Sequence, residues 1–176
     1  MAPVSTDSTS ETVVTDDVPW LSPDQQRDWR ALVELLAILP SALDAQLKRD
    51  AGVNGFEYQI LAALSEAPDR TLGLTELAIS AQGSLSRLSH ALTRLERSGW
   101  VERRHLADGC RRAKALLTDN GWAKLQEVAP GHVREARRLV VDVLTPEQLS
   151  ALGDAARAIT AATTHGAKAC GEISDC

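Results

Sequence analysis

Apolar residues recur along much of this chain at three- and four-residue steps, the spacing of one helix face. Leu32, Leu35, Leu36, Leu39, Leu43 and Leu47 form the first such stripe. Its helix is expected to start at Ser22, an N-cap followed by Pro23, and to kink or break at Pro40. Asn54 can cap a second helix carrying Phe56, Ile60 and Leu64, closed by the polar loop "EAPDRTLG". A short helix capped by Thr75 follows, with Leu77 and Ala78 inward and an end between Ala81 and Gly83. Ser84 then caps a helix whose Leu85, Leu88, Leu92 and Leu95 are expected to face inward. That orientation leaves Ser86, Arg87, Ser89, His90, Thr93, Arg94 and Arg97 outward, and Gly99 supplies the left-handed residue of the helix end.

The period then switches to two. Trp100 to His105 and Arg112 to Leu117 read as two strands around "LADG". Thr118 caps a long helix through Trp122, Leu125, Val128, Val133, Leu139, Val140 and Val143, expected to be interrupted at Pro130. "TPEQ" at Thr145 to Gln148 combines a Thr cap, Pro at the first helical position and Gln at the third. Leu149, Leu152, Ala156 and Ile159 continue that last helix.

Short helix, tight turn, second helix and a two-stranded ribbon make a winged helix-turn-helix, so the fold class is mainly α. Its chemistry suits duplex DNA. The major groove is about 12 Å wide, admits one helix and presents base edges to its outer face. Ser84 and Ser86 stand where hydroxyls and free backbone N–H groups meet phosphates. Arg87 and His90 lie one turn on, at the distance of base edges, and Arg94 a further turn away, nearer a phosphate.

Charge strengthens this picture once it is located. The whole chain is acidic, with a formal net charge of -5. Asp7, Glu11, Asp16, Asp17 and Asp24 account for that total before the first cation, Arg27. From Ser84 to Lys114, eight cations face only Glu96, Glu102 and Asp108. The ribbon carries most of them, in Arg103, Arg104, Arg111, Arg112 and Lys114. A chain 44% hydrophobic but only 3% aromatic fills its interior with aliphatic side chains, as helices packed on helices do.

Other chemistry is thin. Cys110, Cys170 and Cys176 have no framework spacing, which points to free thiols in a reducing cytoplasm. His90, His105, His132 and His165 show no metal-ligand spacing, and no Gly-rich phosphate loop or nucleophile elbow is present. An enzyme, a cofactor and a bound metal are therefore not expected. Neither a signal peptide nor a membrane span is legible.

The motifs together resemble the MarR (multiple antibiotic resistance regulator) family of transcriptional regulators. They are "FEYQILAAL" at Phe56, "LTELA" at Leu74, "SLSRLSHALTRLERSGWVERR" at Ser84, "ALLTDNG" at Ala115 and "APGHV" at Ala129. The similarity runs from about Leu32 to Leu152. It implies a homodimer whose N- and C-terminal helices interlock, assigned here to Trp29 to Leu47 and Leu139 to Ile159. It also implies a regulator, usually a repressor, on a pseudo-palindromic operator. Residues 51–118 are then the DNA-binding domain, and 20–50 with 119–165 the dimerisation region. Residues 1–19 form a disordered acidic tail and 166–176 a flexible one.

The family's wing carries an arginine that enters the minor groove, preceded by an acidic residue. Counting back from Leu117 and Thr118, Arg111 takes the arginine position. The acidic position falls on Gly109, with Asp108 one place earlier, so Arg112 stays open as the groove-entering residue. In the turn before Ser84, Gln82-Gly83 replaces the commoner Gly-apolar pair. Members often respond to small aromatic ligands in a cleft beside the dimer helices, for which Trp20, Trp29, Phe56 and Tyr58 are the candidate walls. Cys110 beside Arg111 and Arg112 leaves a thiol switch as an alternative. Metal sensing, and a helical interaction module without DNA binding, are the others.

Overall fold

The structure, a computed structural model, describes residues 18–105 and 113–168. The chain divides into two compact units, Met1–Ala37 and Ile38–Cys176. Ser22 opens the first helix, α1 (Pro23–Ala51), with a capping box in which its Oγ accepts from the Gln25 amide and Gln25 Oε1 accepts from its own. Against expectation, α1 continues through Pro40. Proline there removes one N–H, the one owed to the Leu36 carbonyl, and a helix of this length tolerates that single loss. In the first unit α1 exposes Trp29, Val33, Leu35 and Leu36.

The second unit is built on α2 (Gly55–Glu66), α3 (Leu74–Ser80), α4 (Leu85–Arg97) and a three-stranded antiparallel sheet. Asn54 and Glu57 form the capping box of α2. The stretch read as a polar loop holds a 3₁₀ turn, Pro68–Arg70, and a strand, β1 (Thr71–Gly73). Three residues are too few to show a period, which is why β1 is silent in the sequence. It pairs with β3 (Ala113–Leu117), and β3 pairs with β2 (Val101–His105), giving the order β1-β3-β2.

Helix α3 begins two residues earlier than expected. Gly73 is its N-cap without a side-chain bond, so Thr75 lies inside the first turn and caps nothing. Its end is a Schellman turn: the Gln82 amide reaches the Ile79 carbonyl and the Gly83 amide that of Ala78. Gln82 takes the left-handed conformation at φ 54°. Gly83 is needed for a different reason, since a Cβ there would sit 2.5 Å from the Phe56 ring. The unusual Gln-Gly pair thus divides two tasks between two residues.

Ser84 caps α4, accepting from the Arg87 amide at 3.2 Å. Leu88, Leu92 and Leu95 are buried with Ala91, but Leu85 is 54% exposed, not inward. One turn ahead of Leu88, it overhangs the core. Gly99, at φ 70°, closes the helix as expected. Ile60, Leu61, Leu64, Leu77, Leu88, Leu92, Leu95, Val101, Ala115 and Leu117 form one core.

Thr118 caps α5 (Asp119–Ala136), taking the Gly121 amide and giving its hydroxyl to the Gly99 carbonyl. Pro130 does not interrupt α5. The break comes later, as a π-helical turn over Arg137–Val141, so Leu139 and Val140 lie beyond the α-helix. The Thr145–Gln148 capping box starts α6 (Pro146–Lys168), as the sequence indicates. Among the described residues no helix is long and apolar enough to cross a membrane.

Candidate nucleic-acid interface

The outer face of α4 is polar because its inner face consumes the apolar residues. Ser84, Ser86, Arg87, His90, Arg94 and Arg97 are all exposed. Two of the cations lean on α2. The Arg87 guanidinium lies over the Phe56 ring, 4.1 Å from its centroid. Arg94 Nε donates to Glu57 Oε1 at 2.6 Å, and Glu57 is only 7% exposed. The same carboxylate takes the Asn54 amide at 2.9 Å, so one buried anion caps α2 and aims an arginine of α4. Ser86 and His90 have no side-chain partner among the described residues.

The sheet sorts the ribbon's cations by face. Val101 and Arg103 share the inner face of β2, while Glu102 and Arg104 share the outer one. Arg103 therefore turns toward α4. Its guanidinium donates to Glu96 and Thr93, and its amide to Glu96 Oε1 at 3.0 Å. The bonded arginine holds the Glu96 carboxyl below its usual range, and Glu96 in turn holds Arg103 above its own. Arg104 stays exposed, bonded to Glu102 at 3.1 Å. Directly opposite it in the ladder stands Lys114, also exposed. Facing cations destabilise a sheet unless an anion covers them. Asp108, Cys110, Arg111 and Arg112 lie outside the described residues.

Beside α4 is an open cavity of about 950 Å³. Leu39, Leu43 and Leu47 of α1 give its apolar wall, Phe56 and Tyr58 its aromatic one, and Arg87, His90 and Arg94 its polar one. Asp44 borders it, accepting the Gly55 amide at 2.8 Å. That bond, with Lys48 second, holds its carboxyl below the usual range. Tyr58 and His132 meet with ring centroids 4.4 Å apart. Burial pushes the tyrosine up and the histidine down. Of the four aromatic candidates, then, Phe56 and Tyr58 line the cavity; Trp20 and Trp29 belong to the first unit and are exposed.

Reading from sequence missed the two carboxylates, Glu57 and Glu96, that hold Arg94 and Arg103. Both left a trace. Asn54 and Glu57 have capping-box spacing, and strand alternation alone puts Arg103 on the face of Val101.

No family model matches the chain. Among solved structures it is similar to Sco3205, a MarR family transcriptional regulator from Streptomyces coelicolor in complex with DNA. The identity is 45% and the TM-score 0.77, over 80% of this chain and 89% of that one. It is also similar to NadR in complex with 4-hydroxyphenylacetate, at 25% identity and TM-score 0.60, over 80% of this chain and 96% of that one. The HTH-type transcriptional repressor YetL of Bacillus subtilis (strain 168) is 35% identical over 81 residues. That match spans 46% of this chain and about half the length, 48%, of the curated relative.

Proposed function

The chain belongs to the MarR family of transcriptional regulators, and from that premise we propose that it is a homodimeric, sequence-specific repressor released from its operator by a small ligand. The observation that carries the DNA-binding part is the ladder pair Arg104 and Lys114, two exposed cations placed opposite each other on the outer face of the ribbon that follows α4. Arg104 is paired with the exposed Glu102, and both cations stay on the surface, where phosphates can reach them. Ser84 and Ser86 bind backbone phosphates at the N-terminus of α4, and Arg87 and His90 read base edges in the major groove. Arg94, half-exposed while paired to Glu57, meets a phosphate. Arg111 or Arg112 enters the minor groove from the wing. Arg103 supports the wing through Glu96 while its neighbour Arg104 faces the duplex.

Two copies bind a pseudo-palindromic site through apolar residues of α1 and α6 that a single chain leaves exposed, Leu35 and Leu36 on the one and Leu152 and Ile159 on the other. A small aromatic ligand occupies the cavity beside α4. Arg87, His90 and Arg94 border that cavity and the reading face alike, so a ligand there engages the side chains the operator needs. The protein is a regulator and not an enzyme, and it works in the cytoplasm, where the chromosome is.

Titration of the purified protein against a random-sequence duplex pool tests the core of this reading. Binding should weaken steeply with salt, with a log–log slope near the number of phosphates neutralised. Absence of salt-sensitive binding to any duplex overturns it.

A further inference from the structure

Leu85 is the first helical residue of α4, directly after its Ser84 cap. By spacing it continues the series Leu88, Leu92 and Leu95, whose members are at most 1% exposed, yet its own side chain is 54% exposed. No other large apolar side chain of α4 is exposed. The N-terminal end of the helix therefore presents one aliphatic group between Ser84 and Ser86, on an otherwise polar surface.

A lone exposed leucine is ordinary on a protein surface. Its position is what gives this one meaning. In a helix-turn-helix the N-terminal residues of the second helix lie against base edges. The edges of the major groove carry a single apolar group, the C5 methyl of thymine. Leucine offers neither donor nor acceptor to a base, so the feature it matches there is that methyl. We propose that Leu85 is a specificity-determining residue that packs on a thymine methyl in each half-site. The proposal rests on the DNA-reading role of α4 argued above and adds to it a base preference that no charged residue supplies.

The experiment uses the full chain and does not require the operator sequence. A random-sequence duplex pool is selected with the wild type, with Leu85→Ala and with Ile79→Ala. Ile79, 73% exposed on α3, controls for loss of surface hydrophobicity in general. Each thymine of the wild-type consensus is then replaced by uracil, which removes only the methyl. At one thymine per half-site, uracil should weaken the wild type and Ile79→Ala about four-fold, the worth of one buried methyl group. Leu85→Ala should bind the thymine and uracil duplexes alike at that position. Selection with Leu85→Ala should lose its thymine preference there and nowhere else.

If no uracil position separates Leu85→Ala from the wild type, the inference is overturned and the DNA-reading role stands. If the wild type enriches no sequence at all, that role fails, and the inference with it.

Discussion

Leu92 on α4 and Leu152 on α6 each sit on the apolar stripe of a well-capped helix, but one is fully buried and the other 37% exposed. By local signals α6 is the better helix, since its Thr145–Gln148 box is reciprocal and Ser84 accepts only one bond. What differs is the partner. Leu92 meets α2, α3 and the sheet within its own chain, whereas Leu152 and Ile159 face solvent. Capping and periodicity decide that a stretch is helical; burial is decided by what packs on it. The α2–β3 region is therefore complete in one chain, and α6 is a helix whose apolar stripe its own chain leaves partly uncovered.

The largest effect should come from charging the uncovered stripe. Leu152→Glu with Ile159→Glu places carboxylates where the single chain shows open surface, so a monomeric protein would not register them. With a second copy as the cover, each substitution buries an unpaired charge at a cost of about 3–5 kcal/mol. Sedimentation should show a dimer converted to monomer, and duplex affinity should fall by more than about 100-fold. Unchanged mass would mean that α6 is not the interface.

Next in size is the core of the α2–β3 region. Leu92→Ala should cost about 2–5 kcal/mol of unfolding free energy, with a loss that does not depend on how the helices outside the region are covered. Leu152→Ala should cost less, and its shift in Tm should grow as the protein is diluted, because mass action governs a shared interface. Equal, concentration-independent shifts for the two variants would erase the contrast between the regions.

Within the complete region, a smaller contrast separates reading from anchoring. Arg87→Ala should relax base preference at one position, with a loss of roughly 1–3 kcal/mol in discrimination. Arg111→Ala with Arg112→Ala should weaken all duplexes alike and flatten the salt slope by up to about two units. Binding titrations at several salt concentrations on matched and scrambled duplexes measure both. Uniform losses for both proteins would remove the division of labour.

The same contrast explains what could be read from the sequence. Helix starts at Ser22, Asn54, Ser84, Thr118 and Thr145 are legible because a cap is a local chemical event. The inward set of α4 is legible except at Leu85, where the periodic rule takes no account of the core ending one turn later. Pro40 and Pro130 look like breaks and are not, because proline removes one bond and a long helix has many others. Strand β1 is invisible: its three residues owe their form to β3, more than forty positions away. At the site, composition locates the cations, but the fate of Arg94 and Arg103 depends on carboxylates brought near by folding.

The smallest effect follows from one of those carboxylates. Glu96 joins α4 to β2 through Arg103, and the arginine's hydrogen bonds lower its pKa in the folded protein. An unfolded glutamate titrates near about 4.3. A group whose folded pKa lies below its unfolded one contributes stability that is fully present above the unfolded value. That contribution is lost as pH falls through the folded value, because the folded state then takes up the proton as well. The stability gap between wild type and Glu96→Gln should therefore be widest at neutral pH and shrink steadily below about pH 4.3. Urea unfolding from about pH 7 to about pH 3 measures it. The bond lies wholly inside the complete region, so the gap should be the same in the Leu152→Glu, Ile159→Glu background. A gap that changed there would mean that the cover on α6 reaches the wing, and that the two regions are less separate than their burial implies.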